Sequence, residues 1–135
     1  MCQVFQDAYS SGGEAGDVGY FQLPEEYGYV YAKARGVEPT ILRQFAGYLN
    51  GQCVCIGTAA VWNGFGGLYS VATRHGFRRR GFAVELSRVA TDWAVKNGAK
   101  GVMLQTEAAS AVESLYKGLG YERSYIGLLL VPEKP

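Results

Sequence analysis

The sequence Arg78-Arg79-Arg80-Gly81-Phe82-Ala83 decides how this chain is interpreted. It follows a strand-like apolar run at residues 68–73 and begins an amphipathic pattern that predicts a helix. The first backbone amides of a helix have no partner within it, and the helix dipole adds partial positive charge there. Gly81 lets a ligand approach the backbone, and the arginines offer forked donors that suit phosphate oxygens. The stretch therefore predicts an anion site, most simply one for phosphate groups.

The composition is that of an ordinary soluble globular domain. The chain has 135 residues, of which 48% are apolar and 19% charged, and its formal net charge is +1. This balance argues against a nucleic-acid or acidic-membrane partner, although the arginine triplet alone would also suit a nucleic-acid binder. The three cysteines lack the pair spacing of a zinc site, so we expect no metal and a reduced, cytoplasmic setting. We also expect no membrane-spanning segment and no signal peptide.

The first half of the chain predicts one uncertain element and then a meander of strands. Residues 24–36 favour a helix, although Tyr27, Tyr29 and Tyr31 alternate as in a strand. Strands are predicted at residues 41–49, 52–62 and 68–73. Asn50-Gly51 is a hairpin signal, and residues 63–67 are predicted to turn the chain a second time.

The second half predicts helices alternating with strands. A helix is expected at residues 80–97, with Phe82, Leu86 and Val89 on its apolar face, and a strand parallel to the third at residues 101–106. Ser110 and Glu113 have the spacing of a capping box, so a second helix should begin there and carry Val112 inward. A final strand, antiparallel, is expected at residues 121–131. The fold class is therefore α+β: a mixed, largely antiparallel sheet flanked by helices.

Two motifs in this order resemble those of the GNAT superfamily of N-acetyltransferases. Arg78-x-x-Gly81-x-Ala83 is similar to the family's acyl-CoA pyrophosphate loop, and Leu115-Tyr116-x-x-x-Gly120-Tyr121 resembles its Leu-Tyr-x-x-x-Gly-aromatic segment. The resemblance implies a single acetyltransferase-like domain at 1–135. Residues 40–131 would form the acyl-CoA-binding core, and residues 1–39 a variable part on the acceptor side.

The resemblance also implies a set of site residues. The acyl donor would be acetyl-CoA, and its pantetheine arm would lie against the third strand. The residues expected to bind it are Val71, Ala72, Thr73, Arg78, Arg79, Arg80, Gly81, Phe82, Ala83, Ser110 and Tyr116. Members of the family often have an asparagine near the start of the final helix, and here Ser110 would either replace it in part or only cap the helix.

Tyr116 matches the family's general-acid position. When an amine attacks the thioester, a thiolate leaves, and a phenol with a pKa of about 10 can protonate it. The general base is not fixed by the sequence: Glu107, Glu25, Glu26 or a water chain could serve. Tyr116 could instead be a core tyrosine at helical spacing, and His75 reads as a surface-loop residue.

The function predicted is N-acetylation of a primary amine, expected to be that of a small molecule. The alternative is a non-catalytic domain of the same fold that binds or senses acyl-CoA. A homodimer would be one way of completing the acceptor pocket.

Overall fold

The structure is a computed structural model that describes Val4, Lys33, residues 36–128 and Leu130. The chain divides into two compact units, Met1–Leu104 and Gln105–Pro135. The helix predicted at residues 24–36 lies outside the described residues except for Lys33, which is helical. Glu25 and Glu26 lie outside them as well.

The first unit is built on a four-stranded sheet in the order β1-β2-β3-β4. Its strands are β1 (Leu42–Leu49), β2 (Gln52–Trp62), β3 (Phe65–Thr73) and β4 (Gly101–Met103), and its main described helix is α1 (Phe82–Lys96). β1, β2 and β3 are antiparallel neighbours, whereas β4 pairs in parallel with β3. The predicted mixed, largely antiparallel sheet is confirmed. The parallel strand after the helix is confirmed as well, but it ends at Met103 and not at residue 106.

Two short hairpins form the meander. Asn50 and Gly51 have φ angles of 50° and 77°, and Asn63 and Gly64 have 49° and 79°. These left-handed pairs match the twist of the strands that they join. The turn predicted over residues 63–67 is wrong in its extent, because two residues complete the hairpin and β3 already begins at Phe65.

Glycines at 66 and 67 suggested a turn, yet they lie in β3 for reasons of packing. A Cβ built on Gly66 would lie 3.0 Å from Val102, 3.1 Å from Ala99 and 3.2 Å from Ala94. The glycine therefore allows α1 and β4 to approach the strand closely. Sequence reasoning could not separate this role from a turn.

α1 packs on one face of the sheet through two apolar clusters. Leu86 packs with Val54 and Cys55, and farther along the helix Ala94 packs with Val61 and Ala99. Gly57 leaves room for Leu86, since a Cβ at Gly57 would collide with it. The expected apolar face is correct for Leu86, but Val89 is 47% exposed. Ser87, which is fully buried, takes the inward position between Leu86 and Ala90.

The second unit contains one described helix, α2 (Ala111–Gly118), which begins after Ser110 as predicted. Val112 is 50% exposed and not inward as expected, because the buried positions of this turn fall at Glu113 and Tyr116. The strand predicted from residue 121 is wrong for residues 121–128, which have no regular secondary structure. A strand needs a neighbouring edge to accept its hydrogen bonds, and the described part of this unit contains no other strand.

Candidate functional site

The arginine turn, residues 74–81, connects β3 to α1 and is held by backbone hydrogen bonds. The amide of Arg74 donates to the carbonyl of Val54 at 2.9 Å, which ties the turn to β2. A short 3-10 helix, His75–Phe77, follows, and the Phe77 amide donates to the Arg74 carbonyl at 2.9 Å. The turn is therefore anchored to the sheet before the arginine triplet begins.

The N-terminus of α1 is not capped by a side chain. Its N-cap is Gly81, with φ of 83°, and Arg79 also has a left-handed φ, of 62°. The first amide to bond within the helix is that of Glu85, which donates to the Gly81 carbonyl at 3.0 Å. Among the described residues, none accepts a hydrogen bond from the backbone amides of residues 79–84. Six consecutive donors are thus left for solvent or a ligand.

The three arginines have different surroundings. The Nε of Arg78 donates to the carbonyl of Thr73 at 3.3 Å, so this side chain braces the end of β3. The guanidinium of Arg80 lies 5.7 Å from the ring centre of Phe77 and 5.5 Å from that of Phe82, within cation–π range. Arg79 is exposed and makes no hydrogen bond or ion pair with another described residue. Of the triplet, Arg79 is the side chain that protein contacts restrain least.

A β-bulge in β3 precedes the turn and was not foreseen from the sequence. Ile56 pairs with Ala72 and Thr58 pairs with Tyr69, so Ser70 and Val71 together oppose one residue of β2. Ser70 has φ of 54°, which is uncommon for a residue other than glycine. Such a bulge bends the strand and redirects its side chains. No sequence signal marks it, because serine is not a residue that favours this conformation.

The end of β3 and the start of α1 share one apolar base. Val71, Phe77 and Phe82 all pack against the cluster of Val54, Cys55 and Leu86. The thiol of Cys55 donates to the Phe82 carbonyl at 3.9 Å, and its burial raises its pKa, so it stays a neutral thiol. The hydroxyl of Thr73 is buried and has no hydrogen-bond partner in the described structure. The structure thus brings the candidates of residues 71–73 and 78–83 together around one turn.

In the second unit, the N-terminus of α2 is capped by side chains, unlike that of α1. The hydroxyl of Ser110 accepts the amide of Glu113 at 3.1 Å and donates to the carbonyl of Glu107 at 2.7 Å. The Glu113 carboxylate accepts the amide of Ala109 at 2.8 Å and binds Arg123 with both oxygens, at 2.6 and 2.7 Å. The hydrogen bond from Arg123 and that from Ala109 lower the pKa of Glu113 to about 2. The predicted cap is confirmed, and it occupies the Ser110 hydroxyl.

The two candidate catalytic residues lie in this second unit. Tyr116 is 7% exposed, and its ring meets that of Tyr121 edge-on at a centroid distance of 5.7 Å. The Tyr121 amide also donates to the Tyr116 carbonyl at 3.0 Å. Glu107 is exposed and contributes its backbone carbonyl to the Ser110 cap. Within this unit Tyr116 has the packing of a core residue, and Glu107 is open to solvent.

The part of the chain that the structure describes contains no group of three or more His, Cys, Asp or Glu side chains suited to holding a metal ion. Nor does it contain a helix of the length and apolar character needed to cross a membrane.

The chain matches the sequence model of a known protein family, and its fold and arginine turn are consistent with that match. The family model described as Acetyltransferase (GNAT) family matches residues 3–121. The chain therefore belongs to the GNAT acetyltransferases, as the two motifs indicated.

Several known proteins similar to this chain are named as acetyltransferases. The uncharacterized N-acetyltransferase YobR of Bacillus subtilis is 36% identical over 67 residues, which are 49% of this chain and 27% of that protein. The matched region thus spans about a quarter of the curated relative. A protein of Agrobacterium tumefaciens classed as an acetyltransferase superposes with a TM-score of 0.73 at 23% identity, covering 96% of this chain and 90% of that one.

A second similar structure holds a bisubstrate analog built on CoA. It is AAC(6')-Iy in complex with a bisubstrate analog, CoA-S-monomethyl-acetylneamine, with a TM-score of 0.68 and 16% identity over 82% of each chain. At these identities the two solved structures show a shared fold.

Proposed function

We propose that this chain binds acetyl-CoA at the arginine turn and transfers the acetyl group to a primary amine, expected to be that of a small molecule. The observation that carries the proposal is the row of backbone amides at residues 79–84, which have no acceptor among the described residues. They lie at a helix N-terminus, where the helix dipole also favours negative charge.

The local geometry fits a diphosphate. Gly81 has φ of 83°, and a Cβ built on it would meet no heavy atom within 4 Å, so the space beside it is open. Arg79 is exposed next to the amides and could contact a phosphate oxygen from solution. Arg78 would act indirectly, because its bond to the Thr73 carbonyl fixes the strand end beside the turn. Val71, Ala72 and Thr73 would line the path of the pantetheine arm.

The proposed reaction is a direct acyl transfer, in which the protein has to position the reactants and move protons. Acetyl-CoA supplies an activated acyl group when bound, and the amine nitrogen forms a bond to the acyl carbon as the carbon–sulfur bond breaks. Tyr116 would give its phenolic proton to the leaving thiolate, and the proton lost from the amine would go to Glu107 or to water. The cap that Ser110 makes leaves its hydroxyl little capacity for cofactor binding.

Binding can be tested by thermal unfolding with acetyl-CoA, CoA and dephospho-CoA. A ligand present at about 100 times its Kd stabilises the folded state by about 2.7 kcal/mol, so a shift of several degrees is expected with acetyl-CoA and CoA. A smaller shift with dephospho-CoA would indicate that the 3'-phosphate is also contacted. No shift with any of the three would contradict the proposed site.

Turnover can be tested by thiol release from acetyl-CoA across a panel of primary amines. Tyr116→Phe should lower kcat by about a hundredfold or more while acetyl-CoA still binds. The matched control is Tyr125→Phe, which removes a hydroxyl from a side chain that is 74% exposed in the same unit.

The second candidate function is an acyl-CoA-binding domain without catalysis. The burial of Tyr116 against Tyr121 favours it, because this packing gives the tyrosine a structural role. Binding of acetyl-CoA without thiol release on any amine would select this alternative.

A further inference from the structure

Three side-chain hydroxyls of the described residues are buried and have no hydrogen-bond partner: those of Thr58, Thr73 and Ser87. Such a hydroxyl has lost its water and gained no bond in return, so its presence calls for a reason. Thr73 lies on the proposed path of the pantetheine arm, and Ser87 lies on α1. Thr58, in the middle of β2, is 7% exposed and has no role in that path.

Thr58 points to the face of the sheet opposite α1. Gly57 lies under the helix, where an added Cβ would collide with Leu86, and Val61 packs against the same helix. Since successive side chains of a strand point to opposite faces, Thr58 faces away from α1. Ile56, on the same face of β2, is fully buried, so the surroundings of the Thr58 hydroxyl are apolar.

Tyr69 is the direct cross-strand neighbour of Thr58. The two residues are paired in the register of β2 and β3, so their side chains share a face, with Cβ atoms about 4.5 to 5.5 Å apart. Tyr69 is 55% exposed, and its ring leans along its own strand over Gly67. A small molecule lying against Tyr69 would therefore be next to Thr58.

This pair of residues lies beside the bulge of β3. Ser70 and Val71, which form the bulge, follow Tyr69 directly, and beyond Gly67 β3 no longer pairs with β4. The pantetheine arm is proposed to run along residues 71–73. An amine held at Tyr69 would therefore lie beside that path.

The described strands provide no charge at this position. Arg43 is the only charged residue in the four strands, and it pairs with Ala59, which shares the α1 face with Gly57 and Val61. A second ionic group on an acceptor would thus find no counter-charge on these strands. The strands offer a hydroxyl in apolar surroundings and an exposed aromatic ring, and the face of such a ring attracts a cation.

We propose that Thr58 and Tyr69 select the acceptor, and that it is a primary amine with a hydroxyl on a neighbouring carbon and an otherwise apolar body. The acceptor hydroxyl would pair with Thr58, and its ammonium would lie on the ring of Tyr69 until it loses a proton. A site built to bond a hydroxyl discriminates against an analogue that lacks it, because its own polar group is then left unpaired. This inference rests on the acetyl transfer proposed above and adds the chemical class of the acceptor.

The test compares two amines that differ by one hydroxyl, 2-amino-1-phenylethanol and 2-phenylethylamine. Each is titrated into the 135-residue chain and followed by NMR, with and without CoA, so that binding is measured whether or not turnover occurs. We expect the wild type to bind the amino alcohol at least about tenfold more tightly. In Thr58→Val this preference should fall to about twofold or less, whereas Thr58→Ser, which keeps the hydroxyl, should retain it.

The ring of Tyr69 is tested separately. Tyr69→Leu should weaken the binding of both amines alike, by about two- to fivefold, because the ring contacts the group that they share. Tyr48→Leu is the matched control, since Tyr48 is an exposed tyrosine on β1, and it should leave both affinities unchanged. Unequal losses for the two amines in Tyr69→Leu would contradict the role given to the ring.

Thermal unfolding without ligand gives a second readout. Thr58→Val removes an unpaired hydroxyl and keeps the branched shape of the side chain, so Tm should stay the same or rise. Ser87→Ala is the matched control, because it removes another buried, unpaired hydroxyl on the α1 side of the sheet. This variant should keep the full preference for the amino alcohol.

Equal affinities of the wild type for the two amines, or a preference that survives in Thr58→Val, would overturn the proposal. A lower Tm in Thr58→Val would do so as well, because it would show that the hydroxyl already has a partner. The thermal shift with CoA separates this failure from that of the proposed function. If CoA binds and the preference is absent, only the choice of acceptor is wrong; if CoA does not bind, the cofactor site is wrong and the titrations without CoA decide on the acceptor.

Discussion

Two helices of this protein begin in opposite ways. α2 is capped by its own chain: Ser110 accepts the amide of Glu113, and the Glu113 carboxylate accepts the amide of Ala109. α1 begins at a glycine, without a side-chain cap, and the amides of residues 79–84 bond to no other described residue. A capped helix end stabilises the protein by itself, typically by about 1 kcal/mol. An uncapped end forgoes that stability, and its donors stay available for an anion.

The strongest test of the difference between the two helix starts is to replace Gly81 and Gly98 separately by alanine. Both have left-handed φ angles, 83° and 96°, and neither has a heavy atom within 4 Å of an added Cβ. Gly81→Ala and Gly98→Ala should therefore cost similar stability, about 1 to 2 kcal/mol each, measured by urea unfolding. Only Gly81→Ala should also weaken CoA binding, by roughly tenfold or more in calorimetry. Equal CoA affinities in the two variants would mean that the α1 end is not the site.

The charged network at α2 predicts a specific pH dependence. Because the folded-state pKa of Glu113 is lowered from 4.5 to about 2, its carboxylate contributes stability above pH 4.5 that is lost as the pH falls through about 2. Thermal unfolding between pH 2 and pH 7 should therefore show a smaller loss on acidification in Glu113→Gln than in the wild type. Parallel curves would show that this carboxylate is not the group responsible.

Removing the cap of α2 should affect stability and leave binding unchanged. Ser110→Ala deletes the acceptor of the Glu113 amide and should cost about 1 kcal/mol. Ser114→Ala is the control, since its hydroxyl only donates to the Ser110 carbonyl, at 3.2 Å, from an exposed position. CoA affinity measured alongside should not change in either variant. A marked loss of affinity in Ser110→Ala alone would assign Ser110 to the cofactor site after all.

The smallest effect is expected from a single arginine. Arg79→Gln removes an exposed charge beside the open amides and should weaken CoA binding about two- to fivefold, more at low salt. Its unfolding free energy should not change, because the side chain is exposed and makes no hydrogen bond or ion pair with another described residue. Arg43→Gln on β1, also exposed, provides the charge-matched control.

Local signals account for much of what the sequence predicted correctly. Asn50-Gly51, Ser110 with Glu113, and Gly81 between the arginines and the helix each determine structure within a few residues. The sequence predictions are wrong where contacts between residues far apart in the chain determine the secondary structure. Gly66 lies in a strand because Ala94 and Ala99 pack close to it. Residues 121–128 form no strand, since the described part of their own unit contains no other strand to pair with.

The sequence likewise predicted some features of the candidate site and not others. The turn and the uncapped helix start follow from the motif. The bulge at Ser70 depends on the pairing with β2, and no residue pattern in the sequence predicts it. The division of the arginines into a brace, a stacked side chain and an exposed one could not be foreseen either. It depends on the carbonyl of Thr73 and the rings of Phe77 and Phe82.

The most direct test of the account is a two-dimensional amide NMR titration of the labelled protein with CoA. The amides of residues 79–84 should move strongly, with downfield proton shifts typical of hydrogen bonds to phosphate, and the amides of residues 110–113 should stay in place. Unmoved amides at 79–84, with CoA bound elsewhere on the protein, would contradict the claim that the open end of α1 grips the diphosphate.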